Sequence, residues 1–255
     1  MLLAIDIGNT NISFAIFNGG KIIKNWDIPL KEYRGIRTLE TPIKDALICS
    51  VVPQITQRVS RDIKKTTGVK PKIIGKDILI PLKNLYKKPE QLGMDRLVNA
   101  YAASQIYSAP VIIVSCGTAI TVDAVSKISG YLGGFIIPGL NSSLSALNLN
   151  TALLPKVKLA PTKKNIGKNT QDCILNGVVL GSASAIDALI ETLRIKIGKN
   201  TKIIGTGGDI NLIKRFSKCA IRVNKNLLLN GIFLLYKGAF LGKIRNYPDT
   251  LLKKT

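Results

Sequence analysis

Apolar runs alternate with turn-forming residues along the first thirty positions of the chain. Residues 2–7 form an apolar run that contains one carboxylate, and a Gly/Asn/Thr turn follows at residues 8–10. An alternating segment leads from there to Asn18-Gly19-Gly20, after which residues 21–26 resume an extended pattern. Turn residues between alternating segments are typical of β-hairpins, so this region is predicted to form three antiparallel strands.

The rest of the chain mixes helical and extended patterns. A buried strand is predicted around residues 46–52, followed by helices over residues 55–67 and 93–107, the second ending before Pro110. After a Gly-rich stretch at residues 130–139, a Ser/Asn-containing helix is expected from Asn141. A basic loop at 155–168 precedes a long apolar helix over 170–197, and a short strand at 202–204 runs into a Gly-rich loop. This mixture predicts an α/β fold.

The opening pattern recurs in the middle of the chain. Residues 111–125 again form an apolar run, a Gly-Thr turn and an alternating segment. When Gly8 is aligned with Gly117, Asp6 falls opposite Ser115. The repeat predicts two related α/β halves, residues 1–108 and 109–255, packed around a cleft; chance similarity of two short hairpins is the alternative.

Composition narrows the possible chemistry. The 255 residues include no histidine, which excludes His-based acid–base catalysis and His metal sites. The four cysteines are widely separated and form no C-x-x-C pair, so reduced thiols of an intracellular protein are expected rather than a disulfide framework or zinc site.

The chain is strongly basic, with a formal net charge of +22. Such a charge attracts anionic substrates such as nucleotides, and it also raises the question of nucleic-acid binding. Because the lysines are spread along the whole chain and aromatic residues make up only 5%, a nucleic-acid partner is not expected.

Targeting signals are not expected either. A carboxylate at position 6 comes too early for a signal peptide, and no apolar run approaches the ~18 residues that a membrane span needs. The sequence therefore predicts a cytoplasmic protein with no membrane partner.

Three motifs could carry chemistry. Asp6 followed by Gly8, Asn9 and Thr10 suits a phosphate with Mg²⁺, although a tight polar hairpin would have the same residues. The loop Gly205-Thr206-Gly207-Gly208-Asp209 exposes backbone that could lie against a nucleotide, or it could be a simple turn. Asp95 at a predicted helix start could initiate that helix, or it could orient a substrate hydroxyl.

Taken together, the ordered motifs resemble those of type III pantothenate kinases over roughly residues 1 to 240. The resemblance implies the actin-like, sugar-kinase and Hsp70 (ASKHA) fold, with two RNase H-like domains around a nucleotide cleft. It also implies a homodimer and ATP-dependent phosphorylation of pantothenate, the first committed step toward coenzyme A. The matching motifs are Asp6-Ile7-Gly8-Asn9-Thr10, Gly93-Met94-Asp95-Arg96, Gly117-Thr118-Ala119-Ile120-Thr121, Tyr131-Leu132-Gly133-Gly134-Phe135-Ile136-Ile137-Pro138-Gly139, Asn169-Thr170 and Thr206-Gly207-Gly208.

The resemblance also assigns roles to individual residues. Asp95 is the expected catalytic proton acceptor, and Asp6 is the expected Mg²⁺ ligand. The expected ATP-binding residues are Asp6, Ile7, Gly8, Asn9, Thr10, Asn11, Ile12, Ser13, Thr118, Thr206, Gly207 and Gly208. The expected pantothenate-binding residues are Tyr86, Gly93, Met94, Asp95, Arg96 and Thr170, with Thr170 closing the pocket at the dimer interface.

One position departs from the family pattern. Where the family has an aspartate that binds a monovalent cation, K⁺ or NH₄⁺, this chain has Ser115. A hydroxyl is a neutral and weaker cation ligand, so the dependence on a monovalent cation is expected to be weakened, lost or met by other groups.

Two other functions remain open from the sequence. One is an ASKHA kinase that phosphorylates another small alcohol or sugar. The other is a non-catalytic accessory or nucleic-acid-associated protein, since relatives of this family have been named transcriptional accessory factors.

Overall fold

The computed structural model describes residues 1–36, 39–163 and 165–240. Its strands and helices alternate along the chain as an α/β protein. The strands are β1 (Leu2–Ile7), β2 (Asn11–Asn18), β3 (Lys21–Pro29), β4 (Asp45–Ser50), β5 (Lys72–Ile73), β6 (Val111–Cys116), β7 (Ala119–Ser126), β8 (Gly130–Pro138), β9 (Lys202–Thr206) and β10 (Ile221–Val223). The helices are α1 (Pro53–Thr67), α2 (Met94–Tyr107), α3 (Leu140–Leu149), α4 (Thr170–Ile197), α5 (Ile210–Phe216) and α6 (Leu227–Phe240).

The strands form two sheets of five with the same topology. The first has the order β3-β2-β1-β4-β5, and the second has the equivalent order β8-β7-β6-β9-β10. In each sheet neighbouring strands among the first three of this order are antiparallel. The last two strands run parallel to β1 in the first sheet and to β6 in the second. The internal repeat in the sequence therefore corresponds to two related sheets, and the α/β fold prediction is confirmed.

The chain divides into two compact units that do not follow chain order. Among the described residues, the first contains those within 1–82, 92–102 and 228–240, and the second contains those within 83–91 and 103–227. Helix α6 thus belongs almost entirely to the first unit. The division of the sequence into halves at residues 108 and 109 rests on where the repeat begins, and it stays a prediction.

In the first unit, the two faces of the sheet pack against different helices. Leu3 and Ile5 of β1 lie in an apolar cluster with Val59 and Ile63 of α1. The alternate residues Leu2 and Ala4 lie in a second cluster, with residues of α2 and α6. Because side chains alternate along a strand, Asp6 continues the face that carries Leu2 and Ala4.

In the second unit, α4 covers the sheet. Val179, Ala183, Ile186 and Ile190 of α4 are fully or almost fully buried against residues of the sheet, α3 and α5. The α4 helix begins with an N-cap, since the Asp172 N–H donates to Asn169 Oδ1 at 2.9 Å.

Helix α4 is the element that bears on the expectation of no membrane span. Among the described residues it is the one helix of 18 or more residues that is apolar enough to cross a membrane by length and composition, although polar residues interrupt its apolar run. One third of its most apolar window is buried inside the protein. A core helix of a globular domain passes the same test, so the composition alone is weak evidence for a span.

The predicted elements agree with the structure except at three places. The third strand continues to Pro29, beyond the predicted end at Trp26. The Gly-rich stretch at 130–139 is mostly strand β8, in which Gly133 has a φ of +102° at an irregularity in the ladder. The sequence patterns did not predict β5, α5, β10 and α6.

Candidate active site

The carboxylate of Asp6 lies near the end of β1 in a row of polar side chains. Asp6 pairs with Ser13 of β2, and Ser13 pairs with Asp27 of β3. On its other side Asp6 is level with Cys49 of β4, whose thiol is buried. Because paired residues in a sheet point to the same face, these side chains share the face that α2 covers.

The environment of Asp6 strongly disfavours its charged form. Burial, followed by repulsion from the carboxylates of Asp95 and Asp27, raises the pKa of Asp6 from its ordinary value of 3.8 to about 7. Burial, followed by repulsion from the carboxylates of Asp6 and Asp95, also raises the pKa of the Cys49 thiol. Asp6 and Asp95 therefore interact electrostatically within the first unit.

The turn that follows Asp6 leaves space beside its backbone. The Gly8 N–H donates to the Asn11 carbonyl at 3.0 Å, and Asn9, Thr10 and Asn11 are exposed. A Cβ on Gly8 would make only an ordinary contact, 3.4 Å from the Asn11 oxygen. Internal packing thus gives no reason for a glycine here, as expected where a ligand approaches the backbone.

The second motif of the first unit forms the start of α2. The Gly93 carbonyl accepts from the N–H groups of Arg96 at 3.1 Å and Leu97 at 3.3 Å, which begins the helix. A Cβ on Gly93 would lie 2.5 Å from Asp95 Oδ1, so the carboxylate occupies the place of a side chain. Met94 packs against Gly75, where a Cβ would meet its sulfur at 2.7 Å.

The charges around Asp6 fit a divalent cation. A carboxylate whose ionisation is opposed by two neighbouring carboxylates gains most from a cation beside it. Mg²⁺ prefers one or two carboxylate oxygens, with the remaining ligands from water and substrate phosphates. The described residues contain no cluster of three or more Asp, Glu, Cys or His that could hold a metal.

Three hydroxyl side chains lie side by side in the second unit. Ser115 of β6 pairs with Thr206 of β9 and with Thr121 of β7. Thr206 and Thr121 are buried, and Thr121 Oγ1 has no hydrogen-bond partner in the part of the chain that the structure describes. Ser115 thus occupies the position equivalent to Asp6, but its neighbours in the ladder are neutral.

The two predicted ATP-contacting loops of the second unit lie against each other. Gly207 has a φ of +90°, and a Cβ there would lie 2.3 Å from the Cys116 oxygen. The Asp209 N–H donates to the same Cys116 oxygen at 3.3 Å. The loop containing Thr206, Gly207 and Gly208 therefore adjoins the end of β6, just before the turn of Thr118.

Residues after β8 hold the Gly117-Thr118 turn. The Thr118 carbonyl accepts from the Gly139 N–H at 3.1 Å and from Ser142 Oγ at 2.8 Å. A Cβ on Gly139 would lie 2.2 Å from the Gly117 oxygen, whereas one on Gly117 would lie 3.9 Å from its nearest neighbour. Gly139 is required by packing, and Gly117, like Gly8, is not.

The last two predicted substrate residues also belong to the second unit. Tyr86 lies over β8, where a Cβ on Gly133 would be 3.6 Å from its ring, and its ring is 6.4 Å from that of Tyr131. Thr170 is exposed and is the first residue of α4. The predicted site residues are thus distributed over both units, with Asp6–Ser13 and Gly93–Arg96 in the first.

Two polar residues of the site were not predicted from the sequence. Asp27 raises the pKa of Asp6, and Thr121 completes the row of hydroxyls with Ser115. Asp27 lies in a strand with ordinary alternation, so only the pairing of β2 with β3 reveals it. Thr121 stood within a motif, but its role depends on the register of β6 with β7.

The sequence is similar to known proteins over most of its length. The model of the type III pantothenate kinase family matches residues 2–192. The type III pantothenate kinase of Persephonella marina is 38% identical over 250 residues, which cover 92% of this chain and 98% of the relative. That of Moorella thermoacetica is 34% identical over 93% of this chain and 99% of the relative.

Solved structures show the same fold at lower identity. A Baf family protein from Campylobacter jejuni, described as a transcriptional activator, matches with a TM-score of 0.58 and 24% identity over 92% of this chain and 98% of its own. A protein from Sinorhizobium meliloti described as a 2-dehydro-3-deoxygalactonokinase gives 0.54 and 8% identity, over 94% and 99% of the two chains. The two equivalent sheets and these neighbours confirm the ASKHA fold, and the extent of the sequence matches shows that the chain belongs to the type III pantothenate kinase family.

Proposed function

We propose that this chain transfers the γ-phosphoryl group of ATP to pantothenate, giving 4'-phosphopantothenate in the first step of coenzyme A biosynthesis. The observation that supports this best is the pair of carboxylates in the first unit. Asp6 at a strand end and Asp95 at a helix start interact electrostatically, and the turn after Asp6 has a glycine that internal packing does not require. Family membership supplies the identity of the acceptor.

In this proposal the turns bind ATP. Residues Asp6 to Ser13 contact the phosphates, with the backbone N–H groups and polar side chains of Asn9, Thr10 and Asn11 as donors. Thr118 donates from the second unit, and Thr206, Gly207 and Gly208 contact the adenosine. Exposed backbone at both turns suits a polyphosphate because backbone N–H groups bind its oxygens.

Asp95 acts on the acceptor. Its carboxylate aligns the primary hydroxyl of pantothenate and accepts its proton as the oxygen attacks the γ-phosphorus, while Gly93, Met94 and Arg96 hold the substrate. Proton transfer of this kind contributes ~10²–10⁴-fold to a rate. Holding the two substrates in line contributes more, because the effective molarity of well-oriented reactants is on the order of 10⁵ M or above.

Asp6 would hold Mg²⁺, directly or through its water shell. When bound there, the ion neutralises charge that develops on the phosphates during transfer. The raised pKa of Asp6 implies that the free enzyme carries a carboxyl that is half protonated near pH 7. Binding of the cation favours its ionised form.

The site equivalent to Asp6 in the second unit does not supply the anionic ligand that the family uses for a monovalent cation. Ser115, Thr206 and Thr121 offer only hydroxyl oxygens in the neighbouring ladder positions. We therefore propose that turnover depends weakly, if at all, on K⁺ or NH₄⁺.

The proposed oligomer is a homodimer in the cytoplasm, assembled through α4. The exposed side of α4 carries Gly177, Gly181, Ser184 and Ala188, and a Cβ on either glycine would meet nothing within 4 Å. A flat face of small residues allows a second helix to approach closely. The Tyr86 and Thr170 side chains complete the pantothenate pocket in this proposal, with Thr170 at the dimer interface.

A coupled kinase assay tests the function. The purified protein is supplied with ATP, Mg²⁺ and pantothenate, glycerol or a hexose, and the phosphoester is identified by mass spectrometry. We expect product from pantothenate alone. Product from another acceptor only would contradict the substrate, and absence of any phosphoester together with salt-dependent binding to duplex DNA at 0.15 M salt would contradict the enzymatic function.

A further inference from the structure

The side-chain oxygen of Asn99 is buried without a hydrogen-bond partner. Asn99 lies in α2 with 5% of its surface exposed, and Oδ1 has no partner among the residues that the structure describes. Leaving a buried acceptor unpaired is unfavourable, because water that solvates it in the unfolded chain is lost. Such an oxygen is a candidate acceptor for a group that the free protein does not supply.

The direction of α2 places this oxygen near Asp95. Residues four apart in a helix lie on the same side, so Asn99 follows Asp95 by one turn and lies between Asp95 and Arg96 around the axis. Val98 and Tyr101 instead belong to the apolar cluster that α6 completes. Side chains in a helix tilt toward its N-terminus, so the Asn99 amide leans toward the turn that carries Asp95.

We propose that Asn99 is a further substrate-binding residue, whose Oδ1 accepts a hydrogen bond from the secondary hydroxyl of pantothenate. This inference rests on the proposed function. In the proposed function Asp95 aligns the primary hydroxyl of pantothenate. The secondary hydroxyl lies two carbons further along the same acyl group. One helical turn advances about 5.4 Å, and the backward tilt of the side chain shortens that separation.

The chemistry of Oδ1 suits discrimination between alcohols. An amide oxygen accepts hydrogen bonds and carries no charge, so it binds a hydroxyl without competing with Asp95 for the reactive proton. Because the oxygen is shielded from water, an acceptor without the second hydroxyl leaves it unpaired in the complex. A buried polar group left unpaired is what allows enzymes to reject analogues that lack one hydroxyl.

The experiment compares pantothenate with an analogue that lacks only the secondary hydroxyl. For the unsubstituted enzyme we expect kcat/KM to be about 10- to 100-fold lower with the analogue. In Asn99→Leu the two substrates should differ by less than threefold, with KM for ATP unchanged. If the unsubstituted enzyme treats both substrates equally, or if Asn99→Leu keeps the original ratio, the inference is wrong.

Thermal unfolding separates this role from a structural one. Since Oδ1 is unpaired, Asn99→Leu should leave the midpoint of the free protein unchanged or raise it. Asn176 is a matched buried control, because its amide donates to the Asn165 carbonyl at 3.0 Å and accepts from Thr162. Asn176→Leu should lower the midpoint and leave the preference between the two substrates intact.

Failure of the inference is distinguishable from failure of the proposed function. An unsubstituted enzyme that does not phosphorylate pantothenate contradicts the function itself. If Asn99→Leu does not fold, the ratio of kcat/KM for the two substrates is measured in Asn99→Ala instead. The same ratio in the unsubstituted enzyme tests the inference without any substitution. A marked fall in the midpoint of both variants with an unchanged ratio would show a structural role and overturn the inference.

Discussion

Asp6 combines a position at the end of a buried strand with two carboxylate neighbours, and this determines how it responds to pH. A neutral carboxyl is tolerated there, whereas a charged one is opposed by burial, Asp95 and Asp27. The free protein therefore retains a carboxyl that titrates near neutrality. In the proposed function, the same charge becomes favourable when Mg²⁺ and nucleotide bind.

The stability of the free protein should fall as Asp6 ionises. Its pKa is 3.8 when unfolded and about 7 when folded, so the folded state binds more protons between these values. The unfolding free energy contributed by Asp6 therefore decreases as pH rises from about 4 to 7, and stays low above that. We expect Asp6→Asn to raise the thermal midpoint clearly at pH 8 and little at pH 4.

Thermal unfolding of both proteins at pH 4, 5, 6, 7 and 8 without Mg²⁺ measures this difference. A midpoint difference that is independent of pH would contradict the environment described for Asp6. Turnover provides a second readout, because Asp6→Asn should abolish Mg²⁺-dependent phosphorylation. An unaffected rate would show that the Asp6 turn does not bind phosphate.

Substitution of Asp95 should impair chemistry while the fold is retained. Asp95→Asn keeps the shape of the side chain but removes the proton acceptor, so turnover should fall at least about a hundredfold. ATP affinity, measured by titration calorimetry, should change little. Loss of the Asp95 charge should also lower the pKa of Asp6, since repulsion from Asp95 is one of its causes.

A variant with near-normal turnover would remove Asp95 from the catalytic role. Gly93→Ala is a useful companion, because the new methyl group would lie 2.5 Å from Asp95 Oδ1 and must displace the carboxylate. Its turnover should fall while Asp95 is still present.

At Ser115 a cation-binding carboxylate can be added, so that a dependence on a monovalent cation is tested by gain rather than by loss. In Ser115→Asp a carboxylate would stand beside Thr206 and Thr121 and repel ATP unless a cation neutralises it. We expect the unsubstituted enzyme to show similar turnover in Na⁺, K⁺ and NH₄⁺. Ser115→Asp should bind ATP weakly in Na⁺ and regain affinity in K⁺ or NH₄⁺.

Titration of ATP in the three salts checks this expectation. Strong K⁺ activation of the unsubstituted enzyme would contradict the neutral site. A Ser115→Asp protein with salt-independent ATP affinity would show that this position is not near the phosphates.

Sequence reasoning at the residue scale predicted side chains that belong to short motifs. Asp6 and Asp95 were predicted as site residues because of their neighbours in the sequence. A glycine-containing turn follows Asp6, and Asp95 lies at a predicted helix start. Asp27 and Thr121 become relevant only through strand register, which brings residues far apart in sequence side by side. The assignment of all these residues to ATP or pantothenate stays a prediction.

At the scale of elements, the turn glycines separate into two kinds. Gly8 lacks close internal neighbours, whereas a Cβ on Gly139 would lie 2.2 Å from the Gly117 oxygen. Gly8→Ala should lower the free energy of unfolding by no more than about 1 kcal/mol, or raise it. It should nevertheless increase KM for ATP, because the methyl group would occupy the space where phosphate binds.

Gly139→Ala is the opposite case. It should lower the midpoint and also weaken ATP binding, since the Gly117-Thr118 turn must shift. Calorimetry and steady-state kinetics on both variants measure the two effects. If Gly8→Ala lowers stability but leaves KM for ATP unchanged, the turn is a structural hairpin without a phosphate.

Long elements with a clear period were predictable, and short ones were not. The hairpins β1–β2 and β6–β7 and the helices α1, α2 and α4 follow from alternation, turn residues and helical spacing. Helix α5 has seven residues and β10 has three, too few for a period to emerge. Helix α6 is almost wholly apolar, so its sequence does not indicate a face.

At the scale of the molecule, one side of α4 is exposed in a single chain. Gly181→Arg on its exposed side should convert a homodimer to monomers and lower pantothenate turnover, because Thr170 lies on the same helix. Analytical ultracentrifugation gives the mass in solution. Gln57→Arg on the exposed side of α1 adds the same charge elsewhere and should leave both properties unchanged.

A monomeric unsubstituted protein would contradict the proposed assembly. Dimers that persist in Gly181→Arg would instead place the interface on another surface.

The two sheets were predictable from the repeat, but the compact units were not. The first unit takes helix α6 from beyond the second, and no local pattern records which sheet a distant helix will cover.

The return of α6 to the first sheet affects how the protein must emerge from the ribosome. Phe233 stacks on Phe17 at 4.8 Å, and Tyr236 donates to Asp45 at 2.9 Å, so one face of the earliest strands is completed by some of the latest residues. Because protein synthesis proceeds at roughly 5–20 residues per second, that apolar face is without its helix for a time on the order of ten seconds. The later-encoded sheet can finish first, and chaperones that shield nascent chains have their longest opportunity at the N-terminal strands.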